Sequence, residues 1–240
     1  MHRFFIEQKL RVGAELVLPQ DVAHQLAQVL RMKAGERVIF FDGSGFDFPA
    51  TLTAINKKEI RVEISAQEKN TREPQRRVTL FQAVIKKDKM EWVAEKATEV
   101  GVIKIIPVIA ERSVKTGVNE TRLSKIIKEA AEQSGRGIVP EIGELMLFKN
   151  ALKMAMEECG VVYIAHLPTG QAGEAADRSL TPASSESRQI GLFVGPEGGF
   201  SDAEIQAATA LGAKIISLGS TVLRAETAAV CGVYRLVNGI

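Results

Sequence analysis

Ile190-Gly191-Leu192-Phe193-Val194-Gly195-Pro196-Glu197-Gly198-Gly199-Phe200-Ser201-Asp202-Ala203-Glu204 decides the fold of the C-terminal two thirds of this chain. A short apolar run ends in a loop with three glycines and a proline. Ser201 and Glu204 then stand at the spacing of a capping box, which opens a helix that ends near Gly212. Strand, sharp turn and capped helix in immediate succession make one unit of an α/β sheet. Further strand-like runs lie at Val78–Ile85, Val102–Ile109, Val161–Ala165 and Lys214–Leu218. Helical patterns separate them. Met90, Val93, Ala94, Ala97 and Val100 repeat at helical spacing, with Asp88 as expected cap, Glu91 as its capping-box partner and Gly101 as the stop; Leu123, Ile126, Ile127 and Ala130 mark another helix. The alternation predicts parallel strands with helices on both faces, and ligands of such sheets sit at the carboxyl ends of the strands.

The first third reads differently. Short β-rich runs at Phe4–Ile6, Glu15–Leu18, Arg37–Phe41, Phe48–Ile55 and Glu59–Ile64 are interrupted by one helix near Gln20–Met32, and Asp42-Gly43-Ser44-Gly45 is a hairpin signal. This pattern predicts a small β-barrel. Polar Gln67–Arg77, with Pro74 inside it, reads as a linker between the two parts. The Ser-, Ala-, Pro- and Gly-rich stretch Gln171–Arg188 reads as a surface loop.

Composition narrows the function. The chain has 240 residues, 45% hydrophobic and 25% charged, which is ordinary for a soluble globular protein. Two separated cysteines exclude a disulfide framework and a Cys-rich zinc site, and suit a reducing cytoplasm. No HExxH or His/Cys cluster suggests a metal, no apolar run is long enough to span a membrane, and the N-terminus lacks the apolar core of a secretory signal. Net charge is only +2, but residues 1–77 carry 13 Lys+Arg against 10 Asp+Glu, and basic residues cluster from Lys69 to Lys89. That asymmetry is a mild hint of a polyanionic partner, and on charge alone a solvated surface is the better explanation. Trp92, on a helical face, reads as core.

Two segments follow late strands and could carry chemistry: Gly195–Ser201, and Leu218-Gly219-Ser220-Thr221-Val222-Leu223-Arg224-Ala225-Glu226-Thr227-Ala228. Neither matches a Walker loop or a dinucleotide fingerprint. The first is either a tight turn or a ligand loop feeding a helix N-terminus. In the second, Arg224 and Glu226 stand in a small, apolar setting, where charges are costly unless paired or used.

With these loops the chain resembles the SPOUT superfamily of S-adenosylmethionine-dependent RNA methyltransferases, and within it the family that methylates N3 of a uridine in 16S ribosomal RNA. The residues carrying the resemblance are His2-Arg3-Phe4-Phe5, His24 through Val29-Leu30-Arg31-Met32 with Gly35, Lys86 through Lys89, Lys96-Ala97-Thr98-Glu99-Val100-Gly101, Pro107, Glu129–Ser134 with Arg136 and Pro140, and both loops. Gln25 departs from it, standing where the family often has a second histidine.

The resemblance implies a PUA-like RNA-binding barrel over residues 1–72 and a trefoil-knotted methyltransferase domain over 73–240. It implies S-adenosylmethionine held by His166 and Leu167, by Leu192, Phe193, Val194 and Gly195 with Gly198 and Gly199, by Ser217, Leu218, Gly219 and Ser220, and by Leu223. It also implies a homodimer in the cytoplasm acting on the small ribosomal subunit without a metal. RNA phosphates would meet Arg3, Arg11, His24, Arg31, Arg72, Arg76, Arg77, Lys86, Lys87 and Arg136. Uridine N3 carries a proton, so its methylation needs a base or a cation that stabilises the uracil anion. Arg224 is the expected cation, and Glu197 or Glu226 the expected proton acceptor. Two other readings are ribose 2′-O methylation on the same fold, whose early Asn-x-Gly…Arg pattern is missing at Lys96–Gly101, and a non-catalytic RNA-binding assembly protein.

Overall fold

A computed structural model describes residues 1–56, 59–114, 117–166 and 189–240. The stretch 171–188, read above as a surface loop, lies outside the described residues. Internal contacts separate two compact units, Met1–Glu73 with Ala131–Val139, and Pro74–Ala130 with Pro140–Ile240.

The first unit is built on β1 (Arg3–Phe5), β2 (Glu15–Val17), α1 (Gln20–His24), β3 (Arg37–Phe41), β4 (Phe46–Ile55), β5 (Ile60–Ile64) and β6 (Glu68–Lys69). Strand order is β1-β3-β4-β5-β2, with β6 added to β4. Only β1 against β3 is parallel among these pairings. Ile60, Val62 and Ile64 alternate inward and bury against Phe4, Phe40, Phe48, Leu52 and Leu26, a half-buried sheet closed over one core. The Asp42–Gly45 turn joins β3 to β4, and the Asp42 carboxylate accepts from the backbone of Ser44 and of Leu10.

The expected single helix is instead two pieces. After α1 the chain widens into a π-helical turn, Gln25–Val29, where Leu30 N donates to Gln25 O at 2.9 Å, and Arg31 at φ 55 ends it. A π turn is a rare single-turn widening within a helix, so periodicity alone extends the α-helix through it.

Nor is Gln67–Arg77 a loose linker. Its first residues form β6. Asn70 is buried and donates to Asp47 and to Gly135 O, while Glu73 accepts from Arg136, Gly137 N and Ile138 N. The polar composition there serves hydrogen bonds to the Ala131–Val139 segment rather than solvation.

The second unit contains β7 (Arg77–Ala83), α2 (Lys87–Glu99), β8 (Lys104–Ile109), β9 (Glu141–Ile142), β10 (Met146–Leu147), α4 (Phe148–Glu158), β11 (Val161–Ala165), β12 (Gln189–Val194), α5 (Asp202–Ala210), β13 (Lys214–Ile216) and α6 (Ala225–Asn238). Most of α3 (Glu120–Ser134) also belongs to it. Strand order is β10-β8-β7-β12-β11-β13, β9 pairs with β8, and every pairing is parallel. Central β7 and β12 are buried almost end to end, as strands covered on both faces must be. Successive β12 side chains define those faces. Phe193 stacks on Phe81 at 4.4 Å between ring centroids and meets Phe148 of α4 edge-on at 5.6 Å. Leu192 points the other way, to α6. A Cβ on Gly232 would sit 2.7 Å from Leu192 Cδ2, so any larger residue there would force Leu192 to shift within the core.

The Ser201 capping box is formed. Glu204 N donates to Ser201 Oγ at 3.3 Å, and Ser201 N to Glu204 Oε2 at 2.9 Å. The expected cap of α2 is not. Lys86 occupies the N-cap without a side-chain bond, Asp88 falls inside the first turn where its charge complements the helix dipole, and Glu91 accepts from Arg122 instead. Trp92, expected in the core, is 41% exposed, because the buried face of α2 is filled by Met90, Val93, Ala94 and Ala97.

Candidate active site

Three strands of the second unit, β11, β12 and β13, end side by side, and the chain leaving each one walls a cavity of about 540 Å³. That volume lies within the range of small-molecule sites. His166 contributes from the end of β11. Val194, Gly195, Glu197, Gly198 and Gly199 contribute after β12, then Leu218, Leu223 and Arg224 after β13. These are residues expected at the site from sequence. Ala165, Pro196, Ile216, Thr221, Val222, Ala225 and Ala228 complete the wall, with Lys89 from α2.

The glycine loop turns so tightly that a Cβ on Gly195 would sit 3.1 Å from Phe200 N and 3.2 Å from the Gly199 backbone. The loop is braced from outside. Arg112, in the chain after β8, donates to Gly198 O at 3.1 Å and Phe200 O at 3.3 Å, and Glu111 N donates to Glu204. The second loop is braced by Arg235, which donates to Ser217 O at 3.0 Å. Nothing local in sequence marks Arg112 or Arg235, since their acceptors are backbone carbonyls far along the chain.

Several expected site residues lie elsewhere. Leu192 and Phe193 have no exposure and belong to the sheet core, so their side chains do not line the cavity. Ser217, Gly219 and Ser220 form a turn in which Ser217 Oγ donates to Gly219 O at 2.9 Å, and none of the three is at the wall. Leu167 lies outside the described residues. Glu226 stands behind the wall and joins the site through Lys89, whose Nζ is 3.3 Å from Glu226 Oε2 and 3.6 Å from Glu197 Oε1. Lys89 therefore joins the cavity wall, although the sequence placed it only in a general basic cluster and in the Lys86–Lys89 stretch of the resemblance.

The expected RNA contacts divide by burial. Arg136 is 2% exposed and forms a two-pronged pair with Glu73, at 3.0 Å from Nε and 2.9 Å from the terminal nitrogen. Arg3 is 9% exposed and pairs in the same way with Asp47 at 2.7 Å. Burial alone would raise the Asp47 carboxyl, but the bonds from Arg3 and Asn70 outweigh it and hold the group below its usual range. Both guanidinium groups are buried and paired with the part-buried carboxylates of Asp47 and Glu73 rather than open to solvent. Arg76 is half-buried and donates to Leu236 O at the end of α6. Arg11, His24, Arg31, Arg72, Arg77, Lys86 and Lys87 are exposed.

The chemistry of the wall fits S-adenosylmethionine. Val194, Ile216, Leu218, Leu223 and Ala228 offer apolar surface for an adenine ring, glycine backbone lies open around them, and the Glu197 carboxylate suits a cationic ligand. Among the described residues no group of His, Cys, Asp and Glu is arranged to hold a metal, and no helix is long and apolar enough to cross a membrane.

Known proteins resemble this chain along most of its length. The RNA methyltransferase domain family matches residues 71–236, and the RNA methyltransferase PUA domain family matches residues 18–65. Ribosomal RNA small subunit methyltransferase E of Rickettsia conorii is 33% identical over 98% of this chain and 94% of its own. The protein of that name from Bacillus subtilis is 29% identical over 95% and 93%. Among solved structures, a ribosomal RNA small subunit methyltransferase E from Neisseria gonorrhoeae bound to S-adenosyl methionine superposes with a TM-score of 0.86, at 30% identity, over 99% of this chain and 97% of that one.

Proposed function

Because this chain belongs to the family of ribosomal RNA methyltransferases that its relatives define, we propose that it methylates N3 of a uridine in 16S ribosomal RNA with S-adenosylmethionine as donor. The observation that carries the reading is the cavity at the ends of β11, β12 and β13, walled by glycine backbone, apolar side chains and the charged groups of Glu197, Arg224 and Lys89. Bound there, the cofactor supplies an electrophilic methyl group on a sulfonium. The protein's own part is to align the target base with that methyl and to manage one proton. Arg224 stabilises charge on the uracil oxygens as N3 loses its proton. Glu197, on the wall and partly open to solvent, accepts that proton directly or through water, and Glu226 braces the site from behind. The remaining cofactor assignments, the backbone of the Ser217–Ser220 turn included, belong to the same reading. So does the threading of the C-terminal segment into a trefoil knot. Mass spectrometry of ribosomal RNA from a deletion strain tests the function: loss of N3-methyluridine supports it, whereas loss of a 2′-O-methyl nucleotide, or of no modification, refutes it.

The first unit is the RNA-gripping part in this reading, and a ribosomal substrate places the enzyme in the cytoplasm. Exposed Arg11, Arg31, Arg72 and Arg77 are expected to meet phosphates. Replacing Arg11 and Arg31 with alanine is expected to lower affinity for small ribosomal subunits and to flatten its salt dependence by about one unit of slope per lost phosphate contact. An unchanged slope in filter binding over a salt series would place the RNA on another surface.

The enzyme is a homodimer in this reading. Trp92 of α2 and Tyr234 of α6 are 41% and 49% exposed, on helices that pack together, and large aromatic side chains left open to water suit an interface between two copies. Light scattering is expected to give twice the 26.1 kDa chain mass, and a monomer at micromolar concentration would refute the assembly.

A further inference from the structure

We infer that Lys89 is a second catalytic cation, one that binds a carbonyl oxygen of the target uracil and stabilises the ring once N3 has lost its proton; this rests on the uridine-N3 reading above. Lys89 is the third residue of α2, half-buried, with its ammonium at the cavity wall. It stands between Glu226 Oε2 at 3.3 Å and Glu197 Oε1 at 3.6 Å. Both separations exceed the ~2.7–2.9 Å of a closed charge-assisted bond. Among the described residues its ammonium donates no hydrogen bond, and buried Glu226 Oε2 has no hydrogen-bond partner. An ammonium anchored by charge, with N–H donors still unspent, faces a cavity where negative charge must develop.

The chemistry calls for such a group. When the N3–H bond breaks, the proton goes to the Glu197 carboxylate or to water, and the electron pair stays on the ring. That pair is shared with O2 and O4, which flank N3, and it then forms the N3–CH3 bond while the methyl–sulfur pair remains on the donor's sulfur. Two oxygens gain charge, and the wall carries two permanent cations, Arg224 and Lys89. Glu226 acts through Lys89 as a positioning residue. The charged and titratable groups around the ammonium are Glu197 from the glycine loop, Glu226 and Arg224 at the start of α6, His166 at the end of β11, and Lys86, Lys87 and Asp88 on its own turn.

The test is single-turnover methylation of unmethylated small ribosomal subunits by wild type, Lys89→Met and Lys89→Arg, across neutral to alkaline pH. Lys89→Met is expected to be slower at neutral pH by roughly tenfold or more, the scale of one hydrogen bond to a charged group. Its rate profile is expected to be displaced to higher pH, so that the deficit narrows as the uracil ionises unaided, and Lys89→Arg is expected to recover part of the rate. Ribosomal particles reconstituted with 5-fluorouridine, whose N3–H is more acidic, should show a smaller deficit. The ratio of the two substrates is read within one variant, so loss of folded enzyme cancels. S-adenosylmethionine affinity by calorimetry should stay near wild type. A deficit equal at every pH and on both substrates, or one explained by lost cofactor affinity, would overturn the role of Lys89 and leave it a strap between α2, the glycine loop and α6. Wild type yielding no N3-methyluridine would instead overturn the function.

Discussion

Arg224→Ala will slow N3-methyluridine formation by roughly 100-fold or more, on the scale of removing one preorganised transition-state donor. Arg224 is the residue just before α6, with extended backbone angles, and its side chain is exposed on the cavity wall. Among the described residues it makes no ion pair, while its carbonyl accepts from Ala228 N at 2.8 Å, a bond that alanine keeps. The melting temperature is therefore expected to hold, and S-adenosylmethionine affinity to change much less than turnover. Arg224→Lys should recover little, because a point ammonium does not reproduce the planar fork. Single-turnover kinetics on small ribosomal subunits, with calorimetry for the cofactor, check all three. A wild-type rate for the alanine variant would exclude Arg224 from the chemistry.

Glu73→Ala will destabilise the fold of the first unit by about 3–5 kcal/mol, the scale of breaking a buried ion pair by removing one member. The Arg136 side chain is 3% exposed, and its Nε and terminal nitrogen both donate to Glu73. The same carboxylate also accepts from Gly137 N at 2.7 Å and Ile138 N at 3.0 Å, so alanine would strand two backbone donors as well. Glu73→Gln keeps an acceptor for those donors and should lose less. Urea unfolding followed by circular dichroism measures the difference. A shift within about 1 kcal/mol, the value of an exposed pair, would refute a structural role for the Glu73–Arg136 pair.

Much of this molecule is legible in its sequence. The strand runs at Arg37–Phe41 and Val161–Ala165 match the structure residue for residue, and the Ser201 capping box forms as its spacing demands. Each of these signals is carried by side chains a few residues apart: alternation of two, helical spacing of three and four, a cap and its partner three residues on. The glycine loop and Arg224 are legible for the same reason, because a tight turn after a strand and a charge in a small-residue stretch are local facts.

What sequence alone misassigned, or left unassigned, turns on partners far away in the chain. Leu192 and Phe193 stand directly before the loop, yet the parallel register with Leu80 and Phe81 takes both side chains into the core. Arg3 and Arg136 look like phosphate ligands until Asp47 and Glu73 are found opposite them, 44 and 63 residues away. Lys89 is one of several clustered lysines until β12 and α6 bring Glu197 and Glu226 to its ammonium. Sequence determined which groups carry charge, where the chain turns and which elements form, because those follow from neighbours along the backbone. Only the tertiary structure decided which charges are spent on one another and which stay free to act, because an electrostatic interaction depends on distance and burial in space, and neither is set by distance along the chain.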